Sequence, residues 1–480
     1  MTAAETTGWE PVIGLEVHCE LRTETKLFCG CRNAFGDEPN TNICPVCLGL
    51  PGSLPVLNAT AVEFAMRIGT ALHCEIRPSL FHRKNYFYPD MPKDYQISQY
   101  DEPINTNGWL ELPDGSRVGV ERAHMEEDTG KTTHRGGGGR IHEAEHSLVD
   151  YNRAGVPLVE IVSRPDIRSA TQARLYAAEL RGVLIATGAS DGRMEEGSMR
   201  VDANVSVRRA GEAFGTRCEI KNLNSLRSLV RAIEYEITRQ VEVLESGGTV
   251  AQQTRHWDED QGRTGALRSK EEAFDYRYFP EPDLVRVDPD ARWQAEVAAA
   301  VGAMPADRRA ALAALLGPDG TSQARTDQIA TVVEHGLDGL MTTAVEAGIG
   351  ATLALARTAN EASAEPERAR ALDPAGYTAL LRLEQEGTLS ATQAKVVLGD
   401  LLERGGDPAA LARLRGFEAL EADSLAAVMD ELIADHPDEW ARFVGGDDKL
   451  TGFFTGLAMQ ATDKKANGKA VAAELRRRRG

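Results

Sequence analysis

Two short segments, far apart in the chain, concentrate carboxylates and imidazoles: residues 13–20 and residues 124–128. In the first, apolar and polar residues alternate strictly, which is typical of a strand with one buried face, so Glu16 and His18 point the same way. Carboxylate oxygens with at most one imidazole suit a hard ion such as Mg²⁺, which keeps waters free to bind phosphate. The two segments predict two halves of a divalent-metal site. An amphipathic strand with a hydrated outer face would show the same alternation.

A second carboxylate-bearing element is predicted further along the chain. Residues 201–208 and 217–221 both alternate, and a turn separates them, so they are expected to form a hairpin. Acidic and basic side chains share one face of it, including Asp202, Glu219 and Lys221.

Four of the seven cysteines cluster in sequence as a CxC pair and a CxxC pair separated by twelve residues. This is the layout of a structural Zn²⁺ site with four thiolate ligands, Cys29, Cys31, Cys44 and Cys47. The alternative is four free thiols that pack as small apolar residues. An odd cysteine count argues against a disulfide framework.

The composition limits the classes of ligand and compartment. A formal charge of −19 argues against indiscriminate nucleic-acid binding, so an RNA ligand would need a local basic patch. The clearest patch is at the end of the chain, where Lys464, Lys465 and Lys469 precede four arginines, although such a run can also be a solvated helix end. The chain has no apolar run of 18 residues and no secretion-type start, so no membrane contact and a cytoplasmic location are expected.

The pattern of the chain changes near residue 293. Residues 1–292 are rich in short alternating strands, with helices predicted at 59–72, 170–187 and 225–245, and this mixture predicts an α+β sheet domain. An alanine-rich helical pattern follows, with a helix predicted at 390–402. We expect three parts: 1–292, a helical domain over 293–405 and a helical tail over 406–480.

Many separate stretches of the first 285 residues closely resemble the B subunits of bacterial aspartyl/glutamyl-tRNA amidotransferases. They occur in order at 14–18 (Gly-Leu-Glu-Val-His), 83–90, 95–99, 124–131, 150–155 (Asp-Tyr-Asn-Arg-Ala-Gly), 194–198, 219–225 and 275–283. The resemblance weakens near residues 316–321.

The resemblance implies a kinase step on an aminoacyl-tRNA. Such proteins use ATP and Mg²⁺ to phosphorylate the side-chain carboxylate of glutamate on tRNA(Gln) or aspartate on tRNA(Asn), and ammonia then displaces the phosphate. The ammonia comes from glutamine in an amidase-type A subunit, and the pair is braced by a small C subunit. The implied fold is a glutamine-synthetase-like antiparallel-sheet cradle, followed by a helical domain and a tail that contacts tRNA. Residues 129–132 mimic the end of a Walker loop but lack its upstream glycine, so ATP would be held by metal and side chains.

Site roles follow from the resemblance, position by position. The expected Mg²⁺ contacts are Glu16, His18 and Glu127. Glu126 and Glu219 are expected to bind a second, nucleotide-linked ion, and Asp202 is expected to lie near the same cavity. Regular alternation sends Glu126 and Glu127 to opposite faces, so both can serve one site only at a bulge or a strand end. Arg153 and Lys221 are expected to bind phosphate groups. Lys84 and Tyr86 are expected to line the path of ammonia.

Two rival classes remain open at this point. A metal-dependent phosphohydrolase could use the same carboxylates without partner proteins. A non-catalytic zinc and tRNA-binding scaffold would tolerate loss of Glu16, His18 and Glu127.

Overall fold

A computed structural model describes residues 8–136, 144–269, 276–417, 422–462 and 468–479. The chain divides into two compact units, residues 1–306 and 307–480. Among the described residues, no helix is both long and apolar enough to cross a bilayer.

The first unit contains all the strands of the described residues. Strands β1 to β14 are Trp9–Glu20, Glu75–Ile76, Phe81–Asn85, Tyr95–Gln99, Asn105–Glu111, Arg117–Glu127, Lys131–Arg135, His146–Asp150, Pro157–Ser163, Met199–Arg209, Cys218–Leu223, Gln253–Asp258, Arg263–Ser269 and Phe279–Pro280. Helices α1 to α4 are Ala59–Ala71, Ala170–Ala186, Leu226–Glu245 and Ala291–Ala300.

Twelve of these strands form one sheet in the order β13-β12-β11-β10-β1-β9-β6-β4-β3-β14, with β5 paired to β6 and β2 to β5. Strands β7 and β8 form a separate hairpin. The apolar residues of β1, such as Leu15 and Val17, are fully buried in one cluster with residues of α1, α2 and α3. The helices therefore cover one face of the sheet, and the alternate side chains of the same strands are left on the other face.

The predicted α+β organisation, with helices following the sheet, is confirmed. One detail differs, because β11 and β12 pair in parallel and the sheet is therefore mixed. Helix α3 connects these two strands, and a crossover of this kind returns the chain in the same direction. The three helices predicted in this region are also confirmed.

Polar side chains at the helix starts explain where these helices begin. Asn58, Ser169 and Ser225 accept hydrogen bonds from backbone N–H groups of the first turns of α1, α2 and α3. Each satisfies donors that have no partner inside the helix.

The described residues of the second unit form helices and no strands. Helix α5 (Pro305–Leu316) begins at the boundary, and the others, α6 to α16, are Gln323–Glu334, Asp338–Glu346, Ala351–Asn360, Pro366–Arg370, Pro374–Gln385, Ala391–Arg404, Pro408–Leu414, Ala422–Asp435, Pro437–Val444, Leu450–Ala461 and Gly468–Arg479. They enclose two hydrophobic clusters, one between Leu312 and Ala412 and another between Leu425 and Leu475. Ser390 and Gln393 form a capping box at the start of α11, which confirms the helix predicted there. The domain boundaries at 292/293 and 405/406 stay predictions.

Helix α1 approaches β5 so closely that one helix position must be glycine. A Cβ built on Gly69 would lie 1.9 Å from Oδ1 of Asn105. The Asn105 side chain is fully buried and donates hydrogen bonds to the carbonyls of Ala65 and Ala123, so it cannot move without leaving polar groups unpaired.

We expect Gly69→Ala to lower the free energy of unfolding of the first unit by about 1–3 kcal/mol, because overpacking would displace Asn105. Urea denaturation followed by circular dichroism measures this change. Gly399→Ala is the matched control, since its Cβ would meet open space within helix α11. A Gly69→Ala protein as stable as the parent would show that the contact is not tight.

Candidate active site

The polar face of the sheet carries a row of titratable side chains across three central strands. The strand register pairs His18 of β1 with Glu160 of β9, and Glu160 with His124 of β6. The Nε2 atoms of His18 and His124 lie 3.5 Å and 3.7 Å from Oε2 of Glu160. Glu126, two residues along β6, places Oε1 3.7 Å from His18 Nε2.

His18, Glu126 and Glu160 can together hold a metal ion, and these three residues form what we call the metal-binding cluster. One ligand atom from each lies within 4.8 Å of the others. Two carboxylates and one imidazole leave positions for water and phosphate on an octahedral ion such as Mg²⁺ or Mn²⁺. The donor set therefore fits a divalent ion that assists phosphate chemistry.

The pKa values show how strongly these groups interact. Burial opposes a charge on His18, but its hydrogen bond to Glu160 and the nearby carboxylates outweigh that cost and raise its pKa to about 9. Burial lowers the pKa of His124 to about 4. Burial and the charge of Glu160 raise the pKa of Glu126 to about 7. Against burial, His124 and His18 hold the pKa of Glu160 below its usual range. The charge on Glu160 is thus compensated by His18, a role that a bound cation would share.

Glu16 lies on the same face of β1 as His18, as predicted from the alternation. Its Oε1 accepts a hydrogen bond from Asn204 at 2.8 Å. Burial and the carboxylate of Glu160 raise its pKa. Glu16 lines the same cavity as the His18 cluster, and it is available to a second cation or to a bound substrate.

Glu127 points away from this cluster. Its Oε1 lies 2.5 Å from Nζ of Lys93 and accepts a hydrogen bond from the backbone N–H of Ile97. Gln96 donates to its carbonyl oxygen. Because β6 is regular at this point, the side chains of Glu126 and Glu127 point to opposite faces. Glu126 faces the cavity, and Glu127 holds β4 next to β6 through its contacts with Lys93 and Ile97. The structure thus brings Glu126, and not Glu127, to the metal-binding cluster.

A group of opposite charges lies on β10 and β11. Nζ of Lys221 is 2.9 Å from Asp202 and 2.9 Å from Glu219. Thr254 donates a hydrogen bond to the second oxygen of Glu219. Lys221 and Glu219 line the same cavity as His18, Glu126 and Glu160.

Arg153 lies outside the residues that line this cavity. Its guanidinium donates to the carbonyls of Thr129 and Gly130 and lies 3.4 Å from Asp128. Asp128 also pairs with Arg200, and both residues line an adjoining part of the cavity that shares His18 and Glu126 with the first. Arg153 therefore braces the turn after β6, whereas Arg200 and Arg122 are the arginines that line the cavity.

The cavity itself is a broad groove over the polar face. Two adjoining parts have volumes of about 970 Å³ and 500 Å³, and His18, Glu126, Lys84, Tyr86 and Lys221 border both. Lys84 lies 4.8 Å from the ring centre of Tyr276. Lys84 and Tyr86, on and directly after β3, lie on the opposite side of the groove from Lys221 on β11. The groove therefore has a cationic group on each side.

Glu160 is the main site residue that sequence reasoning missed. It is the single charged residue of strand β9, whose other residues except Ser163 are apolar. That isolated charge was a usable signal, because a carboxylate in a central strand requires a compensating partner. Local periodicity cannot show that β9 lies between β1 and β6.

The four clustered cysteines come together around a common centre. The sulfur of Cys47 lies 3.5 Å from that of Cys29 and 3.7 Å from those of Cys31 and Cys44. Four sulfurs placed about 2.3 Å from a tetrahedral ion would be about 3.8 Å apart, so the separations fit a metal ion such as zinc. None of the four forms a disulfide, and a hydrogen bond from Cys29 lowers the pKa of Cys47 to about 4.

A fully buried lysine lies against this cysteine cluster. Nζ of Lys26 is 3.6 Å from the Cys47 sulfur and donates to the carbonyls of Ala154 at 2.7 Å and Tyr151 at 3.2 Å. A buried ammonium next to sulfur favours the thiolate form that metal binding needs. Lys26 also ties the cluster to residues 151–155, which carry Arg153.

The predicted RNA-binding lysines are only partly covered by the described residues. Lys464 and Lys465 lie outside them, and Lys469 belongs to helix α16. Three arginines at the end of this helix pair with acidic groups: Arg477 with Glu474, Arg478 with Glu474 and Asp430, and Arg479 with Asp448.

Comparison with known proteins places this sheet and its groove in a family. The model of the GatB/GatE catalytic domain matches residues 11–295, and a second model, the GatB domain, matches residues 346–478. The chain belongs to the GatB family. It is 49% identical to the B subunit of the aspartyl/glutamyl-tRNA(Asn/Gln) amidotransferase of Frankia casuarinae, over 98% of this chain and 96% of the relative. The B subunits from Mycobacterium avium (48% identity; 98% and 94% coverage) and Carboxydothermus hydrogenoformans (45%; 98% and 98%) are also similar. The resemblance found in the sequence is confirmed.

The cysteine geometry predicts one tightly held zinc ion per GatB chain. Cys44→Ser should lose the metal and lower the melting temperature, because thiolate ligation couples metal binding to local folding. Elemental analysis of reduced protein prepared without chelators gives the zinc content. Cys74→Ser, which changes a thiol outside the cluster, should keep the zinc. A parent protein purified without zinc would contradict this prediction.

Proposed function

We propose that this chain is the kinase component of a tRNA-dependent amidotransferase. It uses ATP to phosphorylate the side-chain carboxylate of glutamate on tRNA(Gln), aspartate on tRNA(Asn), or both. Ammonia from glutamine, released by an amidase-type A subunit that works together with a small C subunit, then displaces the phosphate to give the amide. Its similarity to B subunits of aspartyl/glutamyl-tRNA(Asn/Gln) amidotransferases supports the overall reaction.

The observation that carries the proposal is the cluster of His18, Glu126 and Glu160 at the floor of a groove with cationic walls. Phosphoryl transfer needs mainly positioned cations around the phosphate oxygens, and no nucleophilic side chain from the protein. A bound Mg²⁺ would supply charge neutralisation at the transferred phosphoryl group. The glutamine-synthetase-like cradle is part of the proposal, and it is supported by a broad sheet with helices on one face and this groove on the other.

The side chains of the groove have separate proposed roles in binding the metal ion and the phosphates of ATP. His18, Glu126 and Glu160 would hold the ion, and Glu16 would contact a second ion or the water bound to it. Lys221 and Arg200 would bind the phosphates of ATP. Asp202 and Glu219 hold the Lys221 ammonium in place, since both lie 2.9 Å from it.

The opposite wall and the tail complete the proposed assignment. Lys84 and Tyr86 would border the route by which ammonia arrives. The tail, including Lys464, Lys465 and Lys469, would bind the body of the tRNA, and the cysteine cluster would hold Zn²⁺ as a structural brace.

Replacing single glutamates with glutamine in the assembled complex tests which carboxylates are needed for phosphoryl transfer. We expect Glu160→Gln and Glu126→Gln each to slow tRNA-dependent ATP cleavage by about 100-fold or more, on the scale of lost electrostatic stabilisation of a transition state. Hydrolysis of glutamine in the amidase-type partner should be unaffected.

Glu127→Gln is the matched comparison, because it removes a neighbouring buried charge that faces away from the groove. It should lower stability more than it lowers the rate per folded complex. Near-normal amidation by Glu160→Gln would remove this cluster from the mechanism. ATP cleavage without partner proteins or tRNA would favour a phosphohydrolase, and full amidation by both groove variants would favour a scaffold.

Removal of the tail separates catalysis from tRNA binding. Ala412 is buried in the first cluster of the second unit, so a cut near Ala410 would divide that cluster, whereas a stop after Phe417 removes only the cluster between Leu425 and Leu475. We expect KM for tRNA to rise with kcat changed less, because the tail contributes binding shared by ground and transition states. The salt dependence of tRNA binding should become weaker. Normal tRNA binding with a reduced kcat would show that the tail acts on the chemical step.

A further inference from the structure

Two stacked pairs of tyrosines form one wall of the groove. The rings of Tyr100 and Tyr278 lie 4.1 Å apart and 9° from parallel. Those of Tyr86 and Tyr88 lie 5.3 Å apart and 15° from parallel. Tyr100 is 55% exposed and Tyr88 is 52% exposed. Aromatic rings exposed to this extent beside a site commonly mark a binding surface.

The first pair lies directly beside the metal-binding cluster. Tyr100 follows the last residue of β4, and β4 pairs with β6 at Ser98 and Glu126. Tyr278 immediately precedes β14 at the same end of the sheet. Both tyrosines line the cavity that contains His18 and Glu126.

The groups suited to binding ATP phosphates lie towards the other end of the sheet. Lys221 is on β11, and β10, β1, β9 and β6 separate that strand from β4. The groove therefore offers two sides to two substrates, with the metal-binding cluster between them. An aminoacyl-tRNA brings its carboxylate to the cluster with the terminal nucleotide attached through the ester, so that nucleotide must lie against one wall.

The chemistry of the tyrosine wall matches an unstacked base of single-stranded RNA. Every base has a π-face, and stacking on an aromatic side chain contributes to binding without a demand for base-edge hydrogen bonds. The wall also carries positive charge that can face the RNA backbone. Lys84 lies over the ring of Tyr276, and Arg122 borders the same cavity.

We propose that the Tyr100–Tyr278 pair stacks against the terminal base of the aminoacylated 3′ end of tRNA. The inference rests on the proposed function and adds the subsite that positions the substrate carboxylate over the cluster. An adenine ring could also come from ATP. Because the tyrosine pair lies on the side of the groove away from Lys221, we assign it to the terminal base of tRNA and not to the adenine of ATP.

Steady-state kinetics of the assembled complex distinguish the two sources of the base. Tyr100→Leu removes the outer ring and should raise KM for charged tRNA by about 5-fold or more, with KM for ATP unchanged. Tyr100→Phe keeps the ring and should restore the parent value. Phe279→Leu is the control, because Phe279 is an exposed aromatic residue next to Tyr278 that does not line the cavity. A rise in KM for ATP instead, or no change in either KM, would overturn the proposal.

A direct readout uses tRNA that ends in 2-aminopurine, whose fluorescence is quenched by stacking. Quenching should appear on binding to the parent complex and to Tyr100→Phe, and should be lost in Tyr100→Leu at saturating protein. A parent complex that amidates charged tRNA but leaves the fluorescence unquenched would refute the subsite while the proposed function stands. A parent complex that binds charged tRNA without amidating it would refute the proposed function, and the inference would fail with it.

Discussion

A largely buried carboxylate placed between two imidazoles is the interaction on which the organisation of the groove depends. Glu160 lies on a central strand within 3.7 Å of both His18 and His124, and these three residues come from neighbouring strands. An uncompensated charge at this depth would be costly, so the register of β1, β9 and β6 is tied to the pairing of these side chains. The same arrangement leaves Glu126 beside His18. His18 thus compensates the charge of Glu160 in the folded chain and also belongs, with Glu126 and Glu160, to the set of residues that can hold a cation.

Contacts from segments distant in sequence hold the edges of the groove in place. Glu127 joins β6 to the segment that carries Lys93. Arg153 fixes the turn after β6 through two carbonyls, and Lys26 fixes the segment that carries Arg153. Because Lys26 also contacts Cys47, the cysteine cluster is connected to the groove through packed, hydrogen-bonded groups. This chain of contacts links the proposed zinc site to carboxylates that are far from it in sequence.

Local sequence patterns were sufficient to predict many of the strands and helices, but not to predict which of these elements lie next to each other in space. Alternation in β1 predicted that Glu16 and His18 share a face. The helices predicted to start at Ser225 and Ser390 begin directly after these residues, which cap their first turns. The position of β9 between β1 and β6 depends on long-range pairing, so Glu160 was missed. Alternation limited Glu126 and Glu127 to opposite faces, yet only the packing of Lys93 against one of them shows which carboxylate faces the groove. The parallel pairing of β11 and β12 was missed for the same reason.

The central claim is that this groove transfers a phosphoryl group from ATP to a substrate carboxylate. Glutamyl-tRNA carrying ¹⁸O in both side-chain oxygens, supplied to the assembled complex with ATP and glutamine, tests it directly. Attack of the carboxylate on the γ-phosphoryl group creates a C–O–P bridge, and ammonia then breaks its C–O bond, so one ¹⁸O leaves with the phosphate. The account predicts one ¹⁸O in the inorganic phosphate for each amide formed, as measured by mass spectrometry. Amide formation with unlabelled phosphate would contradict it.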